Sequence, residues 1–431
     1  MPTFVCDLHI HIGASADGRP VKVTASRDLT FGNIARECVQ RKGVQVAGVV
    51  DCGSPRVLED IYGLLSSGEM VELPGGGLRY RDQLTIIPGS ELETRERRGR
   101  PTIPDGRSGM VSPSFPRSGA SHHVGYFPGL AQLKAYVAVL SRHVTNLELS
   151  SQTCRLPAAE LEAICHEAGG LLVPAHSFTP HKSVYGSCAR RMTDVFPPEA
   201  WARMPAIELG LSADSDLADR LSELQDKTFL SNSDAHSLPR IAREYNLLEL
   251  EEATFEEFVL ALRREGGRRV VANYGLDPRL GKYHRTRCEE CDWIAAGEPP
   301  VLHCEHCDSD KVTSGVLDRI HAIADAPEPA PPAHRPPYRY QIPLQFVPKV
   351  GSVRLNRLLN RFGSEMAVLH EASPQALAQT VGSEIAELIV RAREGRLVLQ
   401  SGGGGRYGRA FADASQAQMR LPGLVAREGE E

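Results

Sequence analysis

The sequence predicts an α/β domain with a largely parallel sheet able to close on itself, followed by a small four-cysteine zinc ribbon and an all-α helix-hairpin-helix region. Three observations predict this order. Up to about Tyr283, short apolar runs at 46–50, 84–87, 170–173 and 206–209 alternate with helix-like stretches such as 158–168, which is the pattern of strands joined by crossover helices. Two Cys-x-x-Cys pairs come next. Beyond a proline-rich stretch, apolar-glycine turns open helical segments that carry arginines.

Bulk composition sets the frame for these elements. A chain of 431 residues exceeds one ordinary core, so two or three domains are expected. Hydrophobic content of 41% and charged content of 24% are typical of a globular protein. No N-terminal segment has the make-up of a signal peptide and no apolar run is long enough to span a bilayer, so a cytoplasmic location is expected. The net charge of −5 is unevenly spread, because residues 335–409 hold eleven Arg or Lys against five Glu. That part can attract a polyanion although the whole chain is acidic.

The first strand is expected around Phe4-Val5-Cys6 and leads into Asp7-Leu8-His9-Ile10-His11. Side chains at i and i+2 leave the same face of a strand, so His9 and His11 point together and form half of a metal site. A second pair, Asp234-Ala235-His236, follows the strand-like run 228–231. Other polar groups also stand where strands end. Asp51 follows Val49-Val50, Glu91 follows 86–89, and His176 follows 171–174. In α/β barrels active sites are built at that edge.

Residues 95–121 lose periodicity and carry Arg95, Arg97, Arg98, Arg100, Arg107 and Arg117, the composition of an exposed loop. Cys288, Cys291, Cys304 and Cys307 then follow the pattern Cys-x2-Cys-x12-Cys-x2-Cys. Two thiolate pairs on tight turns are what tetrahedral zinc requires, and four sulfurs leave no open position for catalysis. His303 and His306 lie among them as alternative ligands. Six prolines between 327 and 337 predict an extended, semi-rigid linker.

Past the linker, 348–351 leads into a helix at 353–362 and Thr380-Val381-Gly382 into one at 384–393, with a further helix expected at 373–378. The pair looks like a tandem helix-hairpin-helix module. Gly351 and Gly382 let the backbone approach a phosphate, helix N-terminal N–H groups point at it, and Arg354, Arg357 and Arg361 recur along one side. The glycine run 402–405 has neither the preceding strand nor the Lys-Ser or Lys-Thr of a nucleotide-binding loop.

Collected in order, the candidate ligands are His9, His11, Glu91, His122 or His123, His176, Asp234 and His236. Imidazoles with a few carboxylates suit zinc, manganese, magnesium or iron, with one carboxylate bridging two ions. Such ions neutralise phosphate oxygens and lower the pKa of a bound water, so no protein nucleophile is needed. The chain has no Gly-x-Ser-x-Gly elbow, Walker loop or dinucleotide fingerprint.

His9-x-His11, Gly89-Ser90-Glu91, Ala175-His176 and Asp234-x-His236 resemble the motifs of the PHP (polymerase and histidinol phosphatase) metallo-phosphoesterases. With a four-cysteine element and a helix-hairpin-helix region downstream, the chain is similar to the endonuclease Q family from about Val5 to Arg409. The resemblance implies a distorted β/α (PHP-type) barrel with two or three divalent ions on its C-terminal rim, and one structural zinc. It also implies double-stranded DNA as partner and cleavage 5′ to deaminated bases (uracil, hypoxanthine, xanthine) or at abasic sites. Expected domains are 1–283 for the metal-dependent catalytic unit, 284–324 for the zinc ribbon, 325–337 for the linker, 338–409 for the DNA-binding unit and 410–431 for a disordered tail.

Carried over residue by residue, the resemblance gives one ion to His9, His11, Glu91 and Asp234, with Asp234, Glu91 and His9 as the catalytic set. Glu91 then bridges to a second ion held by His176 and a histidine of the His122-His123 pair, the register favouring His122. A third would use His236 with a partner near Asp17 and Asp51. Here the chain departs from the family, because Asp51-Cys52-Gly53 has no histidine where the family often places one. A flipped base would need a pocket, for which Phe178, Tyr185 and Tyr283 are aromatic candidates. Two rival readings are a phosphatase of a small phosphomonoester and a non-catalytic DNA-binding protein.

Overall fold

A computed structural model describes residues 1–97 and 118–412. Arg98, Arg100, Arg107 and Arg117 of the arginine-rich loop and residues 413–431 of the expected tail lie outside the described residues. Eleven strands build the first part of the chain: β1 (Thr3–Ile10), β2 (Val46–Val49), β3 (Met70–Glu72), β4 (Leu78–Tyr80), β5 (Leu84–Arg97), β6 (Ser118–Tyr126), β7 (Leu171–Pro174), β8 (Ala206–Glu208), β9 (Thr228–Leu230), β10 (Tyr245–Glu249) and β11 (Arg269–Gly275).

Seven of them close into a distorted barrel. β1, β2 and β5 pair in parallel, β5, β6 and β7 antiparallel, and β8 with β9 in parallel. Ser177 N–H donates to the Glu208 carbonyl where β7 meets β8. The ring closes on β1 through His11 N–H to the Ala235 carbonyl (3.1 Å) and Ala235 N–H to the His9 carbonyl (3.2 Å). Outside the ring, β10 and β11 extend the sheet antiparallel from β1, and β4 and β3 extend it from β5.

The sheet is therefore mixed, where the alternation of apolar runs predicts a largely parallel one. β6 reads Ser-Gly-Ala-Ser-His-His-Val-Gly-Tyr and lacks the apolar run that marks the other strands. It pairs antiparallel with β5, the strand before it in sequence, from Gly89 opposite Tyr126 to Arg97 opposite Ser118.

The barrel interior is filled by Cys6, Leu8, Val46, Val50, Ile87, Val124, Tyr126, Val173, Ala206 and Leu230, drawn from all round the ring. Phe258, Ala261 and Leu262 of the helix Phe255–Arg263 join that cluster. At about 25 cal/mol per Å² of apolar surface removed from water, this contiguous cluster gives the scaffold its rigidity.

The proline-rich segment is a docked strap where the composition predicts a semi-rigid linker. The Arg335 guanidinium, 4% exposed, pairs with Asp219 at 2.8 Å and stacks 3.4 Å over the Phe229 ring. Pro337 accepts the Asn273 N–H, and the strand Tyr338–Tyr340 then pairs in parallel with β11. Prolines supply an extended backbone, while the arginine between them supplies the anchor. The last strands, Val398–Gln400 and Arg409–Phe411, pair antiparallel, so regular structure continues past the expected start of the tail at 410.

Candidate metal centre

His9 and His11 lie near the end of β1, on one face as the strand period requires. Glu91 sits in β5, opposite Val124 of β6, and His122 lies two residues further along β6, opposite Glu93. His176 follows β7 and Asp234 follows β9. Both hold left-handed backbone, φ 29° at His176 and 44° at Asp234. Non-glycine residues are strained there and persist only when the surroundings fix them.

The surroundings do fix them. A Cβ at Gly210 would stand 2.9 Å from the His176 Cβ, and Gly210 itself has φ 82°, so only glycine fits behind that histidine. Arg243 is buried and donates through Nε to the Ser233 carbonyl (2.7 Å) and through Nη2 to the Asp234 carbonyl (3.3 Å).

Two groups of ligand atoms result among the described residues, His9 with His11 and Asp234, and Glu91 with His122 and His176, each within 4.8 Å. The donor chemistry fits divalent cations. Glu208 takes His9 Nδ1 (2.8 Å) and Asp51 takes His11 Nδ1 (3.0 Å), which leaves the two Nε2 atoms 3.3 Å apart and facing inward. Carboxylates on the far nitrogens set the tautomer and the aim of metal-binding imidazoles. Asp234 Oδ1 lies 3.7 Å from His9 Nε2 and 3.4 Å from His11 Nε2. Glu91 links the groups, with Oε1 2.8 Å from His122 Nδ1 and 3.5 Å from His176 Nε2, and Oε2 3.5 Å from His11 Nε2.

Electrostatics agree with this placement. Burial alone would lift the Glu91 carboxyl, but His122, Lys22 and His11 outweigh it and hold it well below the usual carboxylate range. Asp234 behaves likewise under His11, His236 and His9. Burial alone would push the His9 imidazole down, yet Glu208, Asp234 and Glu91 raise it to about 10. Without cations this imidazole holds a proton, so metal uptake expels it and is favoured as pH rises.

The remaining expected positions divide. His123 points away from the centre, its Nε2 2.8 Å from Ser121 Oγ and its ring edge-on to Phe196. His236 lies tilted against the His11 ring and turns Nδ1 to the Asp234 carbonyl (3.0 Å), outside both ligand groups. Asp51 is committed to His11 and to the Ile12 N–H, and Asp17 pairs on the surface with Arg19. Phe178 and Tyr185 are buried and stacked on each other at 4.9 Å, so they are core and offer no face to a base. Tyr283 is half-buried and lines a cavity of about 190 Å³ with Arg285, Arg287 and Gly404.

Sequence reasoning missed Glu208, Lys22, Ser150, Ser151 and Arg243. Lys22 Nζ donates to Glu91 Oε2 (3.3 Å) and to Ser151 Oγ, Ser151 Oγ donates to Glu91, and Ser150 Oγ donates to Asp51. Only Glu208 carried a signal, as a lone acid ending an apolar run.

The four cysteines form a third donor group within 4.8 Å, with Sγ pairs at 3.6 Å (Cys288 and Cys307) and 3.5 Å (Cys291 and Cys304). Glu290 N–H donates to Cys288 Sγ and Cys307 N–H to Cys304 Sγ, each at 3.4 Å, as thiolates on tight turns require. His303 and His306 are exposed and outside the group. Its donors fit structural zinc.

In the helical region, Pro374–Val381, Gly382 at φ 88° and Ser383–Arg393 make a complete helix-hairpin-helix. The first half differs from the expected tandem, because only the 3₁₀ turn Leu344–Phe346 precedes Gly351 and the helix Ser352–Phe362. Proline at 343 and 348 prevents a longer helix there. Lys349, two residues before Gly351, pairs with Glu384, two residues after Gly382. Arg354, Arg357 and Arg361 are exposed. No helix among the described residues is long and apolar enough to cross a membrane.

Residues 214–265 match a family model described as PHP-associated. The chain is 44% identical over 413 residues to the uncharacterized protein YqxK of Bacillus subtilis (strain 168), covering 95% of this chain and 99% of the relative. It is similar to the lesion-specific endonuclease PfuEndoQ from Pyrococcus furiosus, with a TM-score of 0.77 and 30% identity over 97% of this chain and 98% of that one. A structure of endonuclease Q in complex with a 27-mer duplex substrate, carrying an abasic lesion at the active site, matches with a TM-score of 0.77 and 30% identity over 98% of this chain and 100% of that one.

Proposed function

This chain belongs to the endonuclease Q family, and from that membership we propose that it is a metal-dependent DNA repair endonuclease. It hydrolyses the phosphodiester bond 5′ to deaminated bases (uracil, hypoxanthine, xanthine) or at abasic sites, on double-stranded DNA, and works in the cytoplasm. The observation that carries the reading is the convergence of His9, His11, Glu91, His122, His176 and Asp234 from five separate places in the barrel, in a chain that matches a lesion endonuclease end to end.

His9, His11, Asp234 and Glu91 would hold one ion, and Glu91, His122 and His176 a second. When bound, such ions supply an activated hydroxide and neutralise charge on the phosphate. The chain's own residues do the rest. Glu208 and Asp51 aim the imidazoles, Arg243 holds the Asp234 turn, and the buried position of Glu91, 2% exposed, excludes water from the carboxylate that joins the groups. The basic helical region gives a grip that does not depend on sequence, with Gly351 and Gly382 admitting the phosphate backbone and Arg354 and Arg357 neutralising it. The units 1–283, 284–324 and 338–409 divide this labour into catalysis, a zinc-held ribbon and duplex binding.

Incubation with labelled duplex bearing one uracil, hypoxanthine or abasic site, in Mg²⁺ or Mn²⁺, tests the reading. Nicking 5′ to the lesion that disappears in Asp234→Asn is expected. Hydrolysis of a phosphomonoester dye without nicking would instead make the protein a phosphatase.

A second test addresses the grip. Replacing Arg354 and Arg357 together by Ala is expected to weaken duplex binding about tenfold or less at moderate salt and to flatten the salt dependence by roughly two phosphate contacts. Equal loss on lesion and plain duplex marks a backbone contact; loss confined to lesion duplex would place those arginines in lesion recognition.

A further inference from the structure

The ammonium of Lys22 stands inside the cation-binding centre, and the expectation of a third ion meets it there. His236 lacks a ligand set, Asp51 is committed to His11 and Ile12, and Asp17 is on the surface with Arg19. Lys22 Nζ lies 3.3 Å from Glu91 Oε2 and 3.4 Å from His11 Nε2, with Ser151 Oγ as a further partner. Its side chain is 12% exposed. Its backbone is tied down, with Lys22 N–H on the Ile12 carbonyl (2.8 Å) and Val21 N–H on the Gly13 carbonyl (2.9 Å). A long, flexible side chain is thus fixed with its charge against the carboxylate that joins the two ligand groups.

We propose that Lys22 is a built-in cation that takes the place of a third metal ion and binds a non-bridging oxygen of the scissile phosphate. The inference rests on the phosphodiesterase reading of this centre. Charge balance favours it. Glu93 beside His122 is balanced by Lys182 Nζ at 3.1 Å, and four further carboxylates surround the ligand groups, Glu91, Asp234, Asp51 and Glu208. Two divalent ions and one ammonium exceed them by a single positive charge, which a phosphodiester anion meets. A third divalent ion beside the ammonium would leave an excess of three. The ammonium takes its acceptors from Glu91 and Ser151 and asks nothing of Asp51 or His236, which serve other partners.

Lys22→Ala and Lys22→Arg, measured for metal ions per chain, duplex affinity and single-turnover nicking, test the proposal. Wild type is expected to carry three ions per chain, two in the centre and one on the cysteines. Lys22→Ala is expected to lose at least about 100-fold in rate, the size of effect seen when one charge-stabilising donor is removed, with duplex affinity within about threefold and no fewer ions. Added ethylammonium is expected to restore at least about tenfold, and Lys22→Arg to keep more activity than Lys22→Ala. Four ions per chain in wild type would overturn the proposal whatever the substrate. A rate within about threefold of wild type in Lys22→Ala, failure of amine rescue, or a loss that tracks loss of metal would overturn it as well. If wild type nicks no lesion duplex, the endonuclease reading fails, and the same variants are read on bis(p-nitrophenyl) phosphate; inactivity there overturns the proposal too.

Discussion

Glu91→Gln is expected to lower single-turnover nicking by about 10³-fold and to reduce the ions held per chain, which metal analysis and a lesion-duplex assay measure together. The size follows from position. One carboxylate faces His9, His122 and His176 with Oε1, and His11 and Lys22 with Oε2. The amide keeps the shape, removes the charge, and presents an NH₂ to one side where a lone pair is needed. In metal-free protein the substitution also removes the carboxylate paired with Lys22 at 3.3 Å, and breaking a buried ion pair costs about 3–5 kcal/mol. Thermal melts in chelator should therefore fall for Glu91→Gln. Glu208→Gln is the contrasting case, since Glu208 reaches the ions only through His9 Nδ1, and a drop of about 10- to 100-fold in metal affinity is expected. Equal effects from the two would show that the joining position of Glu91 is not what matters.

Cys304→Ser carries the second large effect, and it is expected in folding. Between 284 and 315 the ribbon buries few apolar residues, Ala295 and Val301 beside Cys288 and Cys304, while Val316, Ile320 and Ile323 of the helix that follows join the main core. Asp318 ties its base, accepting from Thr286 N–H (2.9 Å) and Val301 N–H (3.0 Å). A segment of this size cannot fold on so small a core, whereas structural zinc supplies on the order of 10–16 kcal/mol. Cys304→Ser should lose one zinc per chain and become cleavable by protease within 288–307, while the barrel, filled by its own cluster, keeps its protection. Retention of zinc and of protease resistance would refute a zinc-held ribbon.

Much of this molecule can be read from local pattern. The runs at 46–50, 84–87 and 206–209 are strands, the helix at 158–168 is there with its end one residue shorter, and the cysteine spacing meets in space as a donor group. Antiparallel β6 escaped because its His, Gly and Ser residues carry no apolar run, and the strap at 325–337 looked free because prolines dominate it. The first glycine turn opens its helix at Ser352 as the pattern indicates, while only a 3₁₀ turn stands before it, where no helical run could be read.

The amino-acid order alone set which residue types stand at the end of each strand, because side-chain direction repeats every two residues and an apolar run declares its own strand. It also set the cysteine framework and the placing of basic charge toward one end of the chain. Folding settled the rest: which nitrogen of each imidazole is free, that Asp51 and Glu208 aim them, that Arg243 pins Asp234, and that Lys22 enters the centre. His9 and Glu208 are 199 positions apart, and no periodicity spans such a distance; only closure of the ring brings the two within hydrogen-bonding reach.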